Sequence, residues 1–122
     1  MIEFTLPFPT PSLNRQFGEH WAQRAKERKK WGWLVRAERL KSVLDGSHVD
    51  HQVMSVMEKS RVTIERYGKR LLDRDNFIAG TKQLTDALVA EGFLVDDSPQ
   101  HVQIEYRQFT GKPYRTVVRI EP

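Results

Sequence analysis

Two kinds of periodicity alternate along the chain, and their order limits the folds that it can adopt. In residues 2–6 every second side chain is apolar, which predicts a half-buried β-strand. A segment with three prolines follows and predicts an extended loop over residues 7–17, because proline disfavours helices and strand ladders. From about residue 19 to residue 44 the apolar spacing is that of a helix. The predicted buried stripe of this helix consists of Trp33, Ala37, Leu40 and Leu44.

The second half of the chain repeats the alternation of strand and helix. Residues 61–67 predict a strand, and a helix then begins with Asp75 or Asn76 as its N-cap and stops at Gly92. The predicted buried side of this helix consists of Phe77, Thr81, Leu84 and Leu88.

Two further strands complete the pattern, over about 101–109 and 114–120, and residues 111–113 between them predict a hairpin turn. The resulting order is β-α-β-α-β-β. It predicts an α/β domain, more narrowly of the α+β type: a two-layer single domain over residues 1–122 with two main helices packed on a small mixed β-sheet.

The composition favours a protein that meets polyanions in the cytoplasm. The chain has 20 Lys and Arg residues against 16 Asp and Glu, a formal net charge of +4, and a basic surface attracts nucleic acids. It has no cysteine, which excludes disulfides and thiolate metal sites and suits a reducing compartment. No apolar run approaches the roughly 18 residues of a membrane-spanning helix, so we expect no membrane partner and a cytoplasmic location.

A cluster of acids stands out in this basic chain, because carboxylates repel a polyanion unless a cation lies between them. Asp73 and Asp75 lie two residues apart before the second helix, so both side chains can address one ion. Asp96 and Asp97 follow that helix and can return to the first pair only if the third strand runs beside the second. Such oxygen ligands suit Mg²⁺. Spacing alone leaves open that the first pair only caps the helix and that the second only forms a turn.

Lys82 lies seven residues after Asp75, so a helix that begins near Asp75 would place it two turns along the same face. There it could stabilise negative charge on a phosphoryl oxygen or help to deprotonate a water. The alternative is an exposed ion pair with Asp86, four residues further on, worth only a few tenths of a kcal/mol. Asp86 itself lies roughly 16 Å along the helix from Asp75, too far to coordinate the same ion.

Together these residues resemble the RusA family of Holliday junction resolvases, which are small dimeric endonucleases of phage and prophage origin. The resemblance spans nearly the whole chain and is strongest over residues 71–102. The motifs that carry it are the proline-rich segment 6–15, Asp73-Arg74-Asp75-Asn76, Lys82, Asp86-Ala87-Leu88, Gly92-Phe93 and Asp96-Asp97-Ser98.

The resemblance implies a Mg²⁺-dependent, structure-specific endodeoxyribonuclease that resolves Holliday junctions and other branched DNA in recombination and repair. It implies that Asp73, Asp75 and Asp97 are the catalytic, metal-binding acids. Lys82 would assist catalysis, and Asp96 would support the acids. It also implies a homodimer, since two matching sites can cut the two opposed strands of a four-way junction. The expected reaction is in-line attack on the phosphorus by a metal-activated water.

One interval departs from the family pattern. In the best-known member the lysine follows the second aspartate by four residues, whereas here Lys82 follows Asp75 by seven, with Gly80 inside the interval. Both intervals return to nearly the same helix face, so the chemistry is retained if the helix starts at Asp75. Alternatively, the additional residues form a looser segment and the helix starts nearer Gly80.

Two groups of residues are the candidates for DNA contact. Lys69, Arg70, Arg74 and Asn76 lie beside the acids, and Asn14 and Arg15, on the proline-rich loop, could reach a phosphate or support the acidic site. The first helix adds many lysines and arginines, which can contact phosphates without reading sequence, although a basic helix is most often only a solvated surface. The tryptophans of that helix, Trp21, Trp31 and Trp33, are expected to be core or dimer contacts rather than base-stacking platforms.

Two other functions stay open on the sequence. The chain could be a non-catalytic DNA-binding protein on the same scaffold, which would show no Mg²⁺-dependent cleavage. It could also be a small-molecule metal phosphohydrolase, although a small substrate does not require so basic a surface.

Overall fold

A computed structural model of the chain describes residues 2–12, 21–44, 59–96 and 98–121. Within these ranges the elements follow one another as β1 (Ile2–Leu6), α1 (Trp21–Leu44), β2 (Ser60–Gly68), α2 (Arg74–Gly80), α3 (Lys82–Ala90), β3 (Val102–Thr110) and β4 (Arg115–Glu121). The helices pack on a four-stranded sheet with parallel and antiparallel pairs, so the predicted α+β class is confirmed. None of the helices in these ranges is long and apolar enough to cross a membrane.

The strands lie side by side in the order β1-β4-β2-β3. β2 pairs in parallel with β3 and in antiparallel with β4, and β4 pairs in antiparallel with β1. The predicted hairpin between β3 and β4 is therefore wrong. β2 is the most buried strand, and a central place in the sheet satisfies its backbone N–H and C=O groups on both edges.

The connection between β3 and β4 instead crosses the end of β2. There Gly111 donates its N–H to the carbonyl oxygen of Gly68 at 3.2 Å. Gly111 has a φ angle of 129°, which residues with side chains rarely adopt, so glycine is required at this turn.

The core lies between the helices and one face of the sheet. β1 contributes its alternate side chains, as predicted. The residues of β4 and β2 that pair in register across from them, such as Val118 and Ile64 beside Phe4, are buried with them. The largest fully buried side chains are Trp31, Phe77, Phe93, Leu6, Ile64 and Leu84.

The buried stripe of α1 differs from the predicted one. Trp31 and Val35 are 1% and 0% exposed, whereas Trp33 and Leu40 are 66% and 47% exposed. Ala37 is exposed as well, and the side chain of Leu44 lies outside the described part of the chain. Side chains two positions apart on a helix point about 200° apart, so burying Trp31 against the core turns Trp33 to the surface.

The predicted second helix is divided into α2 and α3 at Thr81. The Thr81 N–H and hydroxyl both donate to the carbonyl oxygen of Ile78, three residues back, at 3.1 and 2.7 Å. These short-range bonds tighten the turn and interrupt the helix. The buried side is as predicted: Phe77, Thr81, Leu84 and Leu88 are each at most 1% exposed.

Of the two helix ends predicted for this segment, only the C-terminal one agrees with the structure. Asp73, not Asp75 or Asn76, is the N-cap residue of α2. At the other end α3 stops at Ala90, and Gly92 adopts a φ angle of 83° just beyond it, so the predicted glycine stop is confirmed.

Candidate active site beside the edge strand

The two acidic segments flank the parallel pair of β2 and β3. Asp73 and Asp75 follow β2, and Asp96 precedes β3. β3 runs beside β2 over its full length, but the two are parallel, with Ser60 beside Val102 and Gly68 beside Thr110. Asp96 therefore precedes one end of the strand pair and Asp73 follows the other end, so the pairing alone does not bring the two segments together. β3 is also an edge strand of the sheet, and within the described residues no further strand pairs with its outer side.

A side-chain amide on β3 fixes the backbone immediately before Asp73. Gln108 donates from Nε2 to the carbonyl oxygen of Leu72 at 2.8 Å, and Leu72 donates its N–H to Gln108 Oε1 at 2.9 Å. The amide thus pairs with residue 72 as a neighbouring strand would. Sequence reasoning missed Gln108. The signal for it is a polar residue at an inward-facing position of a strand pattern.

The two acids at the start of α2 are both exposed. Asp73 has the extended backbone of an N-cap residue, with φ −55° and ψ 144°, but its carboxylate makes no capping hydrogen bond. Helix capping therefore does not account for an acid at this position. Asp75 lies in the first turn of α2, so both carboxylates stand at the same end of one short helix.

Arg74, between the two acids, lines a surface hollow of about 430 Å³. A second hollow, of about 680 Å³, is lined by Pro99 and Lys59. The two hollows share Arg61, Gln103, Ile104 and Tyr106, and we call them together the β3 groove. The segment after β2 and the segment before β3 therefore both reach this groove.

Of the three predicted metal ligands, Asp97 lies outside the described residues. Its neighbour Asp96 is exposed and accepts a hydrogen bond from the Ser98 N–H at 3.3 Å. Within the described ranges no three Asp, Glu, His or Cys side chains are grouped so that they could hold a metal ion, so Asp96 does not complete a set with Asp73 and Asp75. Two exposed carboxylates nevertheless suit Mg²⁺, which keeps several of its own waters.

Lys82 is the first residue of α3, beyond the interruption at Thr81. A single continuous helix from Asp75 to Lys82 is therefore wrong, and so is a looser segment up to Gly80, because α2 occupies those positions. Lys82 Nζ lies 3.0 Å from Asp86 Oδ1, and the two side chains are 62% and 52% exposed. The ion pair considered as the alternative is thus formed, while the catalytic role of Lys82 stays a prediction.

The predicted DNA-contact residues are distributed around the acids. Lys69, Arg70 and Arg74 are exposed, and Asn76 is half-buried. Asn14 and Arg15 lie outside the described residues, as does the second half of the predicted loop.

The described first half of that loop, residues 7–12, has neither helix nor strand, as predicted. It approaches α2 closely at Gly80, where an added Cβ would overlap the carbonyl oxygen of Pro11. Gly80 therefore allows the loop and the end of α2 to pack directly on each other.

Arg66 of β2 ties this loop to the segment that leads to Asp73. Its Nε donates to the carbonyl oxygen of Thr10 at 2.8 Å, and its Nη1 donates to that of Arg70 at 3.3 Å. Desolvation by burial lowers the pKa of Arg66. Sequence reasoning assigned Arg66 only to a strand, because its two partners are distant or lie in a loop.

Comparison with known proteins assigns no family: no protein-family model matches the chain, and neither does any curated protein. The resemblance to RusA resolvases stays a prediction that rests on the motifs quoted above.

Proposed function

We propose that the chain is a RusA-like, Mg²⁺-dependent endodeoxyribonuclease that cuts branched DNA. The observation that carries the proposal is the pair of exposed carboxylates, Asp73 and Asp75, beside the β3 groove. Neither acid is needed for the core, and Asp73 does not cap its helix. In a basic chain, exposed acids next to a polyanion site are favourable when they hold a cation.

Asp73, Asp75 and Asp97 would hold the Mg²⁺ ion. When bound, such an ion lowers the pKa of a coordinated water and offsets charge on the phosphate. The residues of the chain would position the metal ligands and stabilise charge on the phosphate. Gln108 and Arg66 fix the backbone on the approach to Asp73, so that its carboxylate starts from a defined position. Lys82 would stabilise charge on the phosphate from the next helix.

The substrate is recognised through its backbone. Lys69, Arg70 and Arg74 are exposed on either side of Asp73, where they can neutralise phosphates next to the bond that is cut. Exposed cations of α1, among them Arg24, Lys26 and Arg28, extend the basic surface. Binding of this kind weakens steeply with salt.

The finer proposal is a cytoplasmic homodimer that resolves four-way junctions in recombination and repair. A four-way junction has two equivalent strands to be cut, and a two-fold symmetric dimer presents two copies of the same acids.

The proposal is tested with a synthetic four-way junction in the presence and absence of Mg²⁺. We expect the wild-type chain to nick it only with Mg²⁺. Asp73→Asn and Asp97→Asn are expected to lower the cleavage rate more than about 100-fold, since even outer-shell changes at metal sites reduce activity 10- to 100-fold. Binding to the junction should persist or tighten, because a negative charge next to the phosphates is removed.

Glu3→Gln is the matched control. It also removes one carboxylate charge, but Glu3 lies on β1, at the opposite edge of the sheet, where it pairs with Arg119 at 2.7 Å. Its cleavage rate should stay near that of wild type. If the wild-type chain binds the junction but never cleaves it with Mg²⁺, the chain is a non-catalytic DNA-binding protein and the nuclease proposal is wrong.

A further inference from the structure

A stack of flat side chains crosses three strands on the face of the sheet opposite the helices. We call this the open face, and at one end it carries Tyr67, Glu65, Arg107, Phe109, Arg115 and Arg119. Tyr67 of β2 stacks on Phe109 of β3, with ring centroids 4.9 Å apart and planes 19° apart. On the other neighbouring strand, Arg115 places its guanidinium carbon 3.6 Å from the Tyr67 ring centroid.

Phe109 ends this stack at the edge of the sheet. β3 is an edge strand, and Phe109 is 40% exposed. A hydrogen bond on the same strand orients Tyr67, because its hydroxyl donates to Glu65 Oε1 at 3.3 Å. The Phe109 ring is therefore supported in a fixed orientation while it remains open to a ligand.

The unpaired charge around the stack is positive. The two acids nearest the stack are bound to arginines: Glu65 lies 2.8 Å from Arg119 Nη1, and Glu105 lies 2.9 Å from Arg107 Nη2. Exposed cations at the same end of the sheet are Lys69, Arg70 and Lys112. An exposed ring among cations matches a ligand that is both flat and anionic.

The ring also lies close to the candidate catalytic acids. Phe109 directly follows Gln108, Asp73 directly follows Leu72, and Gln108 and Leu72 are joined by two hydrogen bonds. With about 3.8 Å between consecutive Cα atoms, the main chains at Asp73 and Phe109 are on the order of 10 Å apart. Gln108 faces the helices and Phe109 faces the other way, so a strand held at Asp73 reaches the ring by crossing the edge of the sheet at β3.

We propose that Phe109 stacks on an unpaired base of a single DNA strand whose phosphates contact Lys69, Arg70 and Lys112. This inference rests on the proposed function and adds to it the part of the substrate that is recognised: a base that has lost its partner at the branch point. Stacking on an aromatic ring does not depend on base identity, so the site would recognise strand state rather than sequence.

The test compares two fluorescently labelled single strands in EDTA: an oligothymidylate of about 12 nucleotides and an abasic strand of the same length. Both present the same phosphates, but only the first has bases to stack. We expect the wild-type chain to bind oligothymidylate more tightly. Phe109→Leu, which keeps an apolar side chain and removes the ring, should weaken oligothymidylate binding by about fivefold or more. Its affinity for the abasic strand should not change.

Phe8→Leu is the matched control. Phe8 is similarly exposed, at 44%, and also lies beside a cation, with Lys30 Nζ 4.0 Å from its ring centroid. It stands in the loop after β1, not on the open face, and should leave both affinities unchanged. Phe109→Tyr keeps a ring and should retain the preference for bases.

Three results would overturn the inference: Phe109→Leu leaves both affinities unchanged, it weakens both strands equally, or Phe109→Tyr loses the preference although its circular dichroism spectrum is that of wild type. The outcome is separable from the nuclease proposal, because binding in EDTA needs no cleavage. Absence of junction cleavage with intact base preference contradicts only the nuclease, and the converse result contradicts only the stacking site.

Discussion

Helix α1 and the pair α2–α3 pack on the same face of the sheet, but their sequences determine the buried side to different degrees. In α2–α3 the predicted stripe of Phe77, Thr81, Leu84 and Leu88 is buried in full. In α1 two apolar series lie on nearly opposite sides, Trp31 with Val35 and Trp33 with Leu40. Only the first is buried. Helical periodicity therefore identified both helices, but it determined the orientation of only one.

The difference follows the chemistry of the two helices. α1 is rich in exposed lysine and arginine, and long side chains of this kind tolerate apolar neighbours at a surface, as Arg36 does over the Trp33 ring at 5.6 Å. α2–α3 is shorter and shares one core with α1 and the sheet, to which it contributes Leu84, Ala87 and Leu88. The helix that is proposed to carry the acids is thus the more strictly determined of the two.

The comparison predicts a large contrast between neighbouring tryptophans of α1. Trp31→Ala should lower the free energy of unfolding by about 3–5 kcal/mol, because it empties a fully buried site. Trp33→Ala should change it by no more than about 0.5 kcal/mol, because that side chain is mostly exposed. Urea unfolding followed by far-UV circular dichroism measures both. Equal losses at the two positions would show that the Trp33 side is covered in solution and that α1 buries both of its apolar series.

The strands illustrate what local pattern can and cannot predict. The alternation of apolar and polar residues located all four strands to within a residue or two, because a strand repeats every two residues and can be recognised from neighbouring positions. It did not predict their order. The short connection at 111–113 favours a hairpin locally, yet the largely buried β2 lies between β3 and β4 and pairs with both. Which strand becomes central depends on burial over the whole chain.

In the candidate site, too, some residues were predicted from local sequence and others were not. Asp73 and Asp75 were predicted because their spacing and charge are visible in the sequence. Gln108 and Arg66 were not, because their contacts join residues 36 and 56 positions apart. Ligand types can thus be recognised from composition and spacing, whereas the groups that orient them depend on the tertiary fold.

Two glycines extend the comparison to the backbone, with effects of opposite sign. Gly80→Ala should destabilise the protein by about 1–3 kcal/mol, because the new Cβ would overlap the Pro11 carbonyl and force a main-chain shift. Gly32→Ala should stabilise it by about 0.5–1 kcal/mol, because α1 leaves open space there and alanine favours the helix. Denaturant midpoints of the two variants provide the measurement. If Gly80→Ala is neutral, the loop after β1 does not pack against the end of α2.

The smallest expected effect concerns the exposed ion pairs of the two helices. A double-mutant cycle on Lys82 and Asp86 of α3 should give a coupling of about 0.3–0.5 kcal/mol, and one on Lys30 and Glu27 of α1 should give no more. Stability should therefore hardly distinguish the two lysines. Junction cleavage should, because Lys82→Ala removes the proposed phosphate contact and Lys30→Ala does not. If Lys82→Ala cleaves at the rate of Lys30→Ala, Lys82 has no role in cleavage, and the charge on the phosphate has to be stabilised by another residue.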